Sequence, residues 1–69
     1  MAYYYYVNKN AQPTGEHEVH QEGCPTPPAV FNRQPLGWFA NCRPAVTEAR
    51  KYFNNVDGCR NCSPDCHRR

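Results

Sequence analysis

The chain opens on an uninterrupted run of residues that favour extended backbone. Tyr3-Tyr4-Tyr5-Tyr6-Val7 predicts a first strand over residues 2–7. In that strand Tyr3, Tyr5 and Val7 point to one face, and Tyr4 and Tyr6 to the other. Asn8 to Gly15 is turn-rich and predicts a hairpin with a longer loop, returning in a second strand over residues 16–20. There Glu18 and His20 share one face while His17 and Val19 share the other. Residues 23–35 read as irregular, because Cys24-Pro25-Thr26-Pro27-Pro28 excludes a helix and a central strand. The large apolar groups of residues 36–40 predict a third strand.

The pattern then changes period. Ala45, Val46, Ala49, Tyr52, Phe53 and Val56 recur at spacings of three and four, which predicts a helix over residues 43–55. Asn41 or Cys42 suits its N-cap region, and Pro44 its first turn. Gly58 suits the turn that leaves the helix. Ser63-Pro64-Asp65 resembles a second helix start, giving one turn through His67. This order predicts an α+β fold with two or three antiparallel strands on a helix of about three turns, followed by a short C-terminal helix.

At 69 residues the chain is expected to form one domain, 1–69. Such a length buries only roughly 60% of the unfolded surface, so stability calls for a staple. Five cysteines are its obvious source. The amino terminus lacks the features of a signal peptide, and no stretch approaches the ~20 apolar residues that span a bilayer. A cytoplasmic protein without membrane contact is expected, and in that compartment cysteine clusters read as metal sites.

Two short-spaced pairs fit a tetrahedral zinc site. In Cys59-Arg60-Asn61-Cys62 a tight turn points both sulfurs to one side, and His20-x-x-x-Cys24 supplies a second pair if a turn follows the strand. The expected ligands are Cys24, Cys59, Cys62 and His20. Cys66, four residues after Cys62, is an alternate for His20, and His67 a weaker one. His17-Glu18-Val19-His20 does not match a metalloprotease helix, whose histidines stand four residues apart.

On these residues the chain resembles the zinc-binding domain of Ada, the bacterial alkyl-DNA repair protein, and related treble-clef modules. That resemblance implies a treble-clef-like zinc fold, with His20 and Cys24 matching the first ligand pair and Cys59 and Cys62 the second. Here histidine replaces the first cysteine, the gap between pairs is longer, and Val56-Asp57-Gly58 replaces a basic lead-in. The whole chain is also similar to a set of short bacterial proteins of unassigned function. They share His-Glu-Val-His, the Leu-Gly-x-Phe-x-x-Cys of residues 36–42 and the Cys-x-x-Cys-x-x-x-Cys-His of residues 59–67.

The leading expectation is a structural-zinc module without catalysis, acting through protein or nucleic-acid contacts. Arg60, Arg68 and Arg69, with Arg43 and Lys51, would meet phosphates, and outward-facing Tyr4 or Tyr6 would stack on bases. A net charge of +2 is low for that task. One alternative is a thiolate-reactive protein, accepting an alkyl group or doing redox chemistry at Cys42 or Cys66. Another is an exported, disulfide-stabilised protein without metal, in which Cys42 and Cys66 are bridged. A monomer is expected, or a weak dimer paired through the edge of the tyrosine-rich strand.

Overall fold

The computed structural model describes residues 1–68. Four strands form one mixed sheet: β1 (Tyr3–Asn8), β2 (His17–Gln21), β3 (Arg33–Phe39) and β4 (Val56–Gly58), in the order β3-β1-β2-β4. One helix, α1 (Cys42–Ala49), packs on the sheet, and single 3₁₀ turns occupy Val30–Asn32 and Pro64–Cys66. The α+β class is therefore observed. Among the described residues no helix is long and apolar enough to cross a membrane.

β1 forms the expected hairpin with β2, pairing Tyr6 with His20 and Val7 with Val19. Its loop is closed by the Gly15 N–H on the Gln12 carbonyl at 2.7 Å. On its other side β1 pairs with β3, so the tyrosine strand is central and has no free edge. The expected edge-to-edge dimer through β1 is thereby excluded. β3 starts earlier than residues 36–40 suggest and contains Pro35. The proline is tolerated because β3 is an edge strand, where a missing N–H breaks no ladder. A register shift between Tyr5 and Tyr6 accommodates it.

The helix is shorter than its apolar stripe predicts, eight residues over Cys42–Ala49. Asn41 caps it by accepting the Arg43 N–H at 3.0 Å. Beyond Ala49 the chain unwinds through turns, with Phe53 N–H still on the Ala49 carbonyl at 3.1 Å. Val56 leaves the stripe altogether and starts β4, a strand the sequence pattern did not signal. β4 runs parallel to β2, pairing His17 with Val56 and Val19 with Gly58. Extending α1 would leave that edge of β2 unpaired, and the ladder won.

The core lies between α1 and one sheet face, where Tyr5, Val7 and Val19 meet Cys42, Ala45, Val46 and Ala49. Most of these side chains are small. Among the described residues the largest fully buried side chains are His20, Val7 and Val19, so an imidazole is one of the bulkiest groups shut away from solvent. A covalent link reinforces this thin interior. Cys42 at the start of α1 is bridged to Cys66 in the last 3₁₀ turn. Gly58 makes the bridge possible: a Cβ there would stand 2.6 Å from the Cβ of Cys66 and 2.8 Å from the Ser63 carbonyl oxygen. Its role is close approach of two backbone segments, not the helix exit that the sequence suggested.

Candidate metal centre

His20 is the fourth residue of β2, on the sheet face turned away from α1. One of its faces lies against the Tyr6 ring, centroids 5.7 Å apart and 21° from parallel. Tyr6 in turn carries the Arg33 guanidinium at 4.7 Å, and Arg33 Nε donates to the Pro28 carbonyl at 3.0 Å. This stack fixes the imidazole plane and leaves Tyr6 3% exposed. Tyr6 is thus no outward platform for a base, contrary to expectation.

After β2 the chain reverses in a tight turn, the Cys24 N–H reaching the Gln21 carbonyl at 3.1 Å. Gly23, at φ +92°, takes the left-handed conformation this turn needs. The turn brings Cys24 back beside His20. Cys59 follows β4 directly, its N–H continuing the ladder to the Val19 carbonyl at 2.9 Å. The Cys59–Cys62 knuckle is closed by the Ser63 N–H on the Cys59 carbonyl at 2.8 Å. Because β2 and β4 are parallel neighbours, both pairs emerge at the same end of the sheet.

The result is one cluster. One ligand atom from each of His20, Cys24, Cys59 and Cys62 lies within 4.8 Å of every other. Cys24 Sγ and Cys59 Sγ are 3.7 Å apart, and Cys62 Sγ is 3.8 Å from His20 Nδ1. Metal–ligand bonds of ~2.0–2.3 Å in tetrahedral geometry require edges of about 3.6–3.8 Å. The donor set and its spacing fit a four-coordinate soft divalent ion.

The surroundings supply donors to sulfur. The Gln21 N–H points at Cys62 Sγ at 3.3 Å, and Ser63 Oγ lies 3.8 Å from the same atom. Thr26 Oγ1 stands 3.7 Å from Cys24 Sγ and 4.0 Å from Cys59 Sγ while accepting a 2.9 Å hydrogen bond from Asn61. That acceptance leaves the threonine proton free to serve sulfur. Sequence reasoning passed over Thr26, Ser63 and the Gln21 amide. A hydroxyl two residues past Cys24 and another beside Cys62 were the available signals.

Electrostatics divide the ligands. Burial holds the His20 imidazole neutral, its pKa down to about 4, with the Arg33 charge acting in the same direction. Burial raises Cys24, but the Thr26 N–H and the hydrogen bonds from Cys62, Thr26 and Cys59 outweigh it, leaving this thiol below its ordinary range. Cys62 is pushed up to about 12, first by burial, then by its contacts with Cys24 and Cys59, despite the Gln21 N–H and Ser63. Protein groups alone stabilise one thiolate readily and oppose a second. A divalent cation reverses that opposition, since each further thiolate then meets positive charge.

Among the described residues His20 Nε2 is buried without a hydrogen-bond partner, and Glu18 Oε1 stands 3.7 Å from it. Burial raises the Glu18 carboxyl above its usual range; His67 opposes this, Asp57 and Glu16 add to it, and the Gln12 side chain opposes it.

The alternates fall elsewhere. Cys66 is consumed by the bridge to Cys42, because residues 64–66 make one 3₁₀ turn and not the helix that would align it with Cys62. His67 turns away, Nδ1 donating to the Gly58 carbonyl at 3.0 Å with the Asp57 carboxylate at 3.3 Å. His17 stacks on Phe53 at 3.9 Å and donates to the Asn8 carbonyl. Of the polyanion candidates, Arg60 and Arg68 are exposed, Lys51 pairs with Glu48 at 3.0 Å, and Arg69 lies outside the described residues. Tyr4 is half-buried, edge-on to an exposed Trp38.

Comparison with protein-family models, with curated proteins and with solved structures returned no match.

Proposed function

We propose that this protein is a small structural-zinc module, with one ion held by His20, Cys24, Cys59 and Cys62. The observation that carries the reading is the convergence of four soft donors within 4.8 Å, two of the pairs already at 3.7 and 3.8 Å, the edge length a tetrahedral ion requires. Zinc suits three sulfurs and one imidazole better than a hard cation would. Four protein donors leave no open position for water or substrate, so the ion's work is folding and not catalysis. It joins the β2 turn to the segment after β4, adding to the Cys59–Val19 ladder bond and the Asn61–Thr26 hydrogen bond that already connect them.

The Ada-like, treble-clef interpretation belongs here as a proposal, supported by ligand spacing, by the knuckle after a strand and by the turn that follows it. The four-stranded mixed sheet and the two-turn α1 are features that such a comparison has to accommodate. A protein partner takes precedence over nucleic acid, because Tyr6 is used internally and the net charge is +2. Thiolate chemistry at Cys42 or Cys66 has no free thiol to use. The cytoplasmic placement stays an expectation, and the bridge argues against it, since such bonds are rare in reducing compartments.

The test is chelation of the purified protein at neutral pH, followed by amide NMR. Collapse of chemical-shift dispersion, restored by stoichiometric zinc, supports the proposal. Full native dispersion after exhaustive metal removal rejects it.

A further inference from the structure

On the opposite side of the sheet from the cysteine cluster, α1 and the residues after the knuckle enclose a cleft of about 230 Å³. Arg43 enters it from α1, Arg50 from the residue that ends the helix and Arg68 from the final segment, over an apolar floor of Val46, Val56 and the bridged Cys66. Among the described residues, no carboxylate lies within ion-pair distance of any of these three guanidiniums. Three like charges line one concavity and repel each other, and the two carboxylates that share its lining, Asp57 and Asp65, offset them only in part. The walls are nonetheless fixed. The Cys42–Cys66 bridge ties the start of α1 to the last 3₁₀ turn, and the Asp57 carboxylate holds the Arg68 N–H at 2.9 Å. Fixed walls lower the ordering cost of binding.

We infer that this cleft binds a small monocarboxylic acid, the carboxylate on the arginines and the hydrocarbon part on Val46, Val56 and the disulfide. Guanidinium groups match a carboxylate in paired, charge-assisted hydrogen bonds. The same cleft carries Asp57 and Asp65, which leaves the lining with a single net positive charge and disfavours a dianion such as phosphate. Its size admits a small molecule and not a polymer backbone, which needs a row of contacts. Val46 is 8% exposed, so the floor is part of the core and does not yield to a larger guest. This inference does not depend on which ion the cysteines hold.

The experiment is an NMR titration of the isotopically labelled full chain with sodium butyrate at constant ionic strength. Saturable shifts are expected for amides of Val46, Val56, Cys66 and Arg68 and for the arginine side chains. Butyramide, equal in shape but uncharged, is expected to leave them unmoved. Arg43→Gln and Arg50→Gln, both on the exposed helix surface, each weaken binding about tenfold, with metal content and amide dispersion unchanged. Inorganic phosphate binding as tightly as butyrate overturns the inference. So does an absence of saturation, or binding that survives unchanged in the double variant.

Discussion

Glu18 Oε1 and His20 Nε2 stand 3.7 Å apart on one face of β2, while the other imidazole nitrogen faces Cys62. The strand period of two sets this relationship directly. When Nδ1 ligates an ion, Nε2 carries the proton and faces the Glu18 carboxylate. A carboxylate behind a ligating histidine fixes the tautomer and raises ligand basicity. Glu18→Ala is therefore expected to lower zinc affinity by about 10–100-fold, read by competition with a chromophoric chelator. Unchanged affinity would mean that the carboxylate is a bystander.

Gly58 tests how the knuckle and the bridge are packed. A methyl group there meets Cys66 Cβ at 2.6 Å, with Cys66 and Ser63 backbone atoms at 2.8 Å, and backbone yields poorly. Gly58→Ala is expected to cost about 1–3 kcal/mol by overpacking. A lowered midpoint in chemical denaturation checks this, and wild-type stability would show that the contact relaxes without cost.

The Cys42–Cys66 bridge closes a loop of sequence separation 24. Chain-entropy arguments assign such a loop about 3.5 kcal/mol of stabilisation. The double variant Cys42→Ala, Cys66→Ala is expected to lose that amount while keeping its metal, since neither residue belongs to the cluster. Denaturation curves and metal analysis of the same samples separate the two effects.

The metal-free protein has a distinct acid response. His20 titrates near 4 in the folded chain against 6.5 for the ordinary group. Between these values the unfolded chain binds the extra proton, so stability rises with pH from about 4 to 6.5 and is lost as pH falls through that window. His20→Gln removes this slope. Because the chelated chain is expected to be unfolded in plain buffer, a refolding titration with a stabilising osmolyte across pH, in the presence of chelator, measures it; an unchanged slope in the variant would assign the response to another group.

The ligand pairs were legible because both are local: three residues separate His20 from Cys24, and two separate Cys59 from Cys62. Their convergence was a guess that only the parallel pairing of β2 and β4 makes good. That pairing was hidden, since Val56 extends the α1 stripe at helical spacing and three residues are too few to announce a strand. Tyr6 was misread for a related reason. Alternation placed it correctly on the face opposite Tyr5, but alternation does not tell that this face is covered by His20 and Arg33. The fate of Cys66 turned on Gly58, whose missing side chain matters only once two distant segments touch. Pro35 was discounted as strand because its edge position is a property of the sheet and not of the segment.

Native mass spectrometry of the freshly purified chain, followed by the same sample denatured in acid, addresses the metal directly. One zinc ion per chain, lost on denaturation to leave one disulfide and three reactive thiols, is the expected result. A folded chain that carries no metal, or one whose Cys24, Cys59 and Cys62 are oxidised among themselves, contradicts it.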